Sequence, residues 1–134
     1  MSPRELFAYV AAHPGMFLLD GGRYDQAVAF LVGYDIGSPG QVLGQFDNWL
    51  FLKFGGAPNI HWSGLVLFAA FRDLPEPPID SRKLTEDQHR HAMSTLWELL
   101  NDYLADIDTT GAEEILRRYQ QWETETYWGR SRAD

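Results

Sequence analysis

Met93, Leu96, Trp97, Leu100, Tyr103, Leu104 and Ile107 recur at intervals of one, three and four residues. Only an α-helix gathers that spacing on one face, because a strand alternates with a period of two. Thr85 and Gln88 precede the run in the T-x-x-Q order of a capping box, where hydroxyl and amide side chains satisfy opposite backbone N–H groups. A long helix with one broad apolar face is useful only when other elements cover that face. The rest of the chain therefore has to supply partners for it.

It supplies more helices. Ser2 and Glu5 form another box with Pro3 at the first helical position, followed by Leu6, Tyr9 and Val10 and stopped by His13-Pro14-Gly15. Residues 23–34 repeat Tyr24, Ala27, Val28 and Leu31, with Phe30 and Tyr34 beside them, up to the stop at 37–40. Residues 41–54 carry Val42, Leu43, Phe46, Trp49, Leu50 and Phe54 and break at Gly55-Gly56. Asn59 is placed to cap a very apolar helix reaching Phe71, which should be the central, most buried element. Asp73 to Lys83, with Pro75, Pro77 and Pro78, is an exposed loop. Thr110 and Glu113 form a third box, opening a last helix through Ile115, Leu116, Tyr119 and Trp122 to about Tyr127, before a frayed tail. The expectation is one all-α domain over residues 1–134, a bundle of about six helices. MFLL (Met16 to Leu19) is either a packed connector or one short β element near residues 16–19. A chain of 134 residues buries about two thirds of its unfolded surface, and nineteen aromatic rings can fill such a core.

The charge narrows the partners. A net charge of −8 repels phosphate backbones and anionic membranes, and it attracts basic proteins. Residues 76–134 hold thirteen acids against seven bases, whereas residues 1–75 hold six against four, so the excess is C-terminal. The longest apolar run, Gly64 to Phe71, is far short of a membrane span, and Arg4 and Glu5 stand where a signal peptide would be apolar. The expectation is a soluble, cytoplasmic protein. The absence of cysteine excludes disulfides, thiolate zinc sites and cysteine nucleophiles.

No catalytic signature stands out. Ser63, in W-S-G, lacks the glycine placement of a nucleophile elbow, and the glycines form no phosphate cradle. Asp87 and His91 are four apart but lack a third ligand, and Glu86 to His91 reads as an exposed first turn. No metal and no cofactor are expected. An alternative function is a small-ligand-binding module or enzyme using a pocket of Asp47, Trp49, His61 and Trp62, where the bland reading is aromatic core with a buried, hydrogen-bonded His61. The other alternative to a binding protein is a structural subunit of a homo-oligomer.

The acids carry the sharper hypothesis. Glu98, Asp102 and Asp106 are spaced i, i+4, i+8, with Asp108 just beyond. On a helix they repel one another and oppose the dipole at its C-terminal end, so stability does not account for them. They are either a solvated face or a partner surface formed by Glu98, Asp102, Asp106 and Asp108 with Glu113 and Glu114. Tyr103, Trp122 and Trp128 are candidate aromatic anchors beside it.

HPGMFLL, FLVGYD, FDNWLFLKF and NIHWSGLVLFAAF, within residues 13–71, resemble segments of a group of small bacterial proteins. That group is in turn similar to the immunity proteins encoded beside secreted polymorphic toxins. The resemblance implies a cytosolic, non-enzymatic protein that binds and neutralises a cognate toxin, and it carries over no catalytic residue.

Overall fold

The computed structural model describes residues 2–17, 23–39, 41–57, 60–78 and 80–128, apart from the side chains of 127 and 128. Among these residues all regular structure is helical and no strand occurs. The first helix, α1 (Pro3–Ala12), starts as its sequence dictates: the Ser2 hydroxyl accepts the Glu5 N–H at 3.1 Å, with Pro3 at the first position. It ends at His13, whose Nδ1 donates to the Tyr9 carbonyl at 3.0 Å. Met16 and Phe17 then close a single helical turn, α2 (Pro14–Phe17), so they are not in a β element. Proline at the head of that turn and the Met16 N–H bond to the His13 carbonyl favour the turn over extension. Leu18 and Leu19, the remainder of the anticipated β element, lie outside the described residues.

Arg23 gives the next helix, α3 (Tyr24–Gly37), no side-chain cap. Its cap comes from 65 positions away: the Tyr24 N–H donates to His89 Nδ1 at 3.0 Å. His89 is accordingly 6 % exposed, and the segment expected as an exposed first turn has one side in the core. The helix expected from Gln41 begins later, as α4 (Phe46–Phe54). Gln41 has a φ of +44°, which breaks helical continuation, and Asp35 accepts the Leu43 N–H at 2.8 Å in the turn that follows. Next is α5 (Trp62–Ala70), whose N-cap is His61; Asn59 lies outside the described residues.

The long helix is α6 (Glu86–Thr110), opened by the Thr85–Gln88 capping box with both reciprocal bonds present. At 25 residues it spans roughly 37 Å. The last helix, α7 (Ala112–Glu123), runs into a wider π-type turn over Thr124–Trp128. No Thr110–Glu113 box forms, because Thr110 is still the last residue of α6. Gly111, with φ +90° and ψ 149°, is the whole connection between the two helices.

These helices are arranged around α6, which packs on α1, α3, α4, α5 and α7. His89, Ala92, Met93, Leu96, Leu99, Leu100, Tyr103 and Leu104 form its buried stripe. The centre is thus α6 rather than the more apolar α5. Helix α5 packs mainly on α4 and α6, and the Tyr24 hydroxyl of α3 donates to its Ser63 carbonyl at 2.5 Å; this buries Trp62, Leu65, Val66 and Leu67 and leaves Phe68 37 % exposed. Tyr103 is fully buried instead of serving as a surface anchor. Its ring lies 5.0 Å from Phe46, and its hydroxyl donates to the Val42 carbonyl at 2.7 Å and accepts from the Gln45 N–H at 3.3 Å. Those two bonds fix the turn that leads into α4.

Gly111 has no atom within 4 Å of where a Cβ would stand, but its backbone lies in a region nearly confined to glycine. Gly111→Ala should therefore lower stability by about 1–3 kcal/mol through conformation alone. Urea denaturation would show this as a lower midpoint at unchanged slope, and an unchanged midpoint would mean that the junction relaxes freely.

Candidate functional site

Successive residues of a helix are rotated by about 100°, which sorts the acids of α6 by direction. Glu98 and Asp102 lie opposite the buried stripe, about 40° apart, and both are exposed. Neither takes part in an ion pair among the described residues. Asp108 is exposed too, but about 200° round the helix from Asp106, on the flank facing α1. Glu113 is exposed at the start of α7.

Two of the six acids have internal work. Asp106 is half-buried and accepts the Trp49 indole N–H at 2.7 Å, which removes it from the solvent column. Trp49 is 6 % exposed, so its N–H needs an acceptor at the edge of the core, and Asp106 is that acceptor. Glu114 binds Arg117 through two bonds of 2.6 and 2.8 Å and takes Arg118 Nε at 3.2 Å. The hydrogen bonds from Arg117, before any other influence, hold its carboxyl down at about 2. The anticipated six-acid surface therefore reduces to Glu98 and Asp102 together, with Asp108 and Glu113 apart from them. Of the anticipated aromatic anchors, Trp122 is half-buried with its ring 4.5 Å from Phe51, and the Trp128 side chain lies outside the described residues.

In the other candidate set each residue has a local structural role, and the His61 and Trp62 rings lie 4.8 Å apart. Trp62 and Trp49 are core, with ring centroids 5.5 and 6.2 Å from Phe46. Asp47 takes the Asn48 N–H at 2.8 Å at the head of α4. His61 is exposed rather than buried, and it caps α5: Nδ1 accepts the Ser63 N–H at 3.2 Å and lies 2.8 Å from the Ser63 hydroxyl. Partial burial lowers the imidazole below its ordinary value, against a weaker upward pull from Asp47. His91 donates Nε2 to the Ala70 carbonyl at 2.8 Å, while Asp87 pairs with Arg90. No group of three potential metal ligands occurs among the described residues.

Three surface grooves flank α6. One of about 440 Å³ runs between α1 and α6, with Ala8, Ala11 and Trp97 on its walls and Glu98 on its rim. Another, of about 540 Å³, lies beside the Gln41–Gln45 turn. The third, of about 300 Å³, sits where α4, α6 and α7 meet, between Lys53, Asp106 and Arg118. This last group escaped sequence reasoning, since Trp49 and Asp106 are 57 positions apart. The usable signal was that a core tryptophan requires an acceptor for its N–H. Comparison with protein-family models, curated proteins and solved structures found no match to this chain. No helix among the described residues is long and apolar enough to cross a membrane.

Two measurements test these assignments. Removing an acid from the end of α6 relieves repulsion worth a few tenths of a kcal/mol, but losing a charged acceptor for a buried N–H costs about 1–3 kcal/mol. Asp106→Ala should thus be destabilised in urea, Asp106→Asn much less so, and Asp102→Ala neutral or slightly stabilised; equal midpoints for all three would refute the structural role of Asp106. The lowered His61 value means that the unfolded chain takes up the proton more readily. The cap's contribution is therefore complete above about pH 6.5 and is lost as pH falls through the folded value. His61→Asn, which retains a capping acceptor, should flatten the fall in Tm between about pH 7 and pH 5.

Proposed function

We propose that this chain is an immunity-type protein, which binds and neutralises a cognate, basic bacterial toxin in the cytoplasm and catalyses nothing itself. The observation that carries the reading is the pair Glu98 and Asp102. The two stand exposed, one turn apart, without an ion pair among the described residues, on the side of α6 away from its buried stripe, with Glu98 at the rim of the α1–α6 groove. Asp106 and Glu114 have evident roles in holding the fold, and these two do not. Their mutual repulsion falls when a cation settles between them, so binding a basic surface relieves a cost the free protein carries.

The net charge of −8 acts in the same direction at longer range. It steers a basic partner toward the protein and turns polyanions away. A toxin that acts on nucleic acid is basic at its cleft, and a row of carboxylates occupies such a cleft as the substrate's phosphates do. The sequence segments within residues 13–71 that resemble small bacterial proteins, themselves similar to immunity proteins, are in keeping with the same reading.

The test is charge reversal at Glu98 and Asp102 with Asp106 left intact, since disturbing Asp106 would disturb Trp49. Tagged wild type, purified at low salt from its own organism, should retain a basic protein in stoichiometric amount. The folded Glu98→Lys/Asp102→Lys variant should lose it, with association slowed about tenfold or more at low ionic strength. A stoichiometric partner indifferent to the reversal, or none at all, would remove the acidic pair from function.

A further inference from the structure

The groove at the α4–α6–α7 junction holds opposite charges that face one space without pairing. Asp106 is fixed through Oδ2 by the Trp49 indole, and its other carboxylate oxygen has no partner among the described residues. Across the groove, Glu114 anchors Arg118 through Nε, and neither terminal nitrogen of the guanidinium is bonded among the described residues. Lys53 Nζ rests over the Trp49 ring, 4.7 Å from its centroid, and makes no ion pair among the described residues. Between the two poles lie the apolar side chains of Leu52 and Ile115.

We propose that this groove binds a small zwitterion with an apolar body, of the class of free α-amino acids. The ammonium group is taken by the open oxygen of Asp106. The carboxylate lies on the terminal nitrogens of Arg118, in the forked geometry a guanidinium offers, with Lys53 beside it. The side chain packs on Leu52 and Ile115, within a space of about 300 Å³. Charge excludes the simpler ligands. A plain anion meets Asp106, and a plain cation meets Lys53 and Arg118. Only a ligand carrying both charges satisfies all three groups at once. The rigidity of the two poles favours binding, because Trp49 and Glu114 have already fixed Asp106 and Arg118. This site is independent of the Glu98–Asp102 surface and of any toxin.

Isothermal titration of the full chain with L-leucine, N-acetyl-L-leucine and L-leucinamide tests the proposal. L-leucine should bind saturably, and each analogue, lacking one charge, roughly tenfold or more weakly. Asp106→Asn keeps an acceptor for Trp49 and removes the charge; it should weaken L-leucine and, by lifting the repulsion, strengthen N-acetyl-L-leucine. Arg118→Met should weaken L-leucine and, by lifting part of the repulsion, strengthen L-leucinamide. Circular dichroism checks that each variant folds, and Lys53→Met, at an exposed position, is a further variant that should weaken L-leucine. The proposal is overturned if L-leucine, L-isoleucine and L-phenylalanine all fail to bind at about 10 mM. It is equally overturned if the folded variants bind L-leucine as the wild type does.

Discussion

Burial of the apolar stripe of α6 is the constraint on which everything else depends. That stripe can leave water only if α1, α3, α4, α5 and α7 all close on it. The polar groups that come with it must then find partners inside the bundle. Tyr103 does so by gripping the turn before α4, and His89 by accepting the first amide of α3. Asp106, at the edge of the stripe, answers the indole of Trp49. Each of these bonds joins α6 to an element that apolar contact alone would leave free to slide or rotate. The apolar surface supplies the cohesion, and the polar bonds set the register.

The same arrangement separates the acids of the C-terminal region by role. Position around the helix, rather than position along the sequence, decides which carboxylate is drawn into the structure and which remains in water. Glu98 and Asp102 are exposed on the side away from the buried stripe, Glu98 at the rim of the groove beside α1. Asp106, only one further turn along, has drifted far enough round to meet α4. A row that looks uniform in sequence thus contains one residue the fold requires and two it does not. Glu114 is a similar case, because its twin Arg117 and Arg118 contacts make it part of a local network on α7.

What could be read from the sequence was whatever is settled within about one helical turn. The Ser2 and Thr85 caps formed as their spacing requires, and so did the apolar stripe of α6, because their partners are three or four residues away. The readings that failed depend on distant or conformational facts. Thr110 has the right neighbour for a cap, yet Gly111 lets α7 begin without one. His89 is polar enough to look superficial until Tyr24 arrives from the other half of the chain, and the partners of the Tyr103 hydroxyl, Val42 and Gln45, come from there too. Helix α5 is the most apolar element, but apolarity does not measure centrality, since α6 packs on α1, α3, α4, α5 and α7 whereas α5 packs mainly on α4 and α6. Within the candidate site, the exposed pair was legible and the Trp49–Asp106–Arg118 groove was not.

The long-range bonds of the bundle converge on a helix that enters the chain late. Arg4 to Asn101, Tyr24 to His89, Gln45 to Tyr103 and Trp49 to Asp106 all end between residues 89 and 106. A ribosome delivers α1 to α5 well before it delivers the helix that covers them. During synthesis the nascent chain therefore carries Phe7, Leu31, Phe46 and Leu65 with nothing to shelter them, for a period set by translation speed and not by folding speed. Slow codons or a pause in the Pro-rich segment before α6 would lengthen that exposure. Chaperones at the tunnel exit would find their binding sites in this interval, before any native contact with α6 exists.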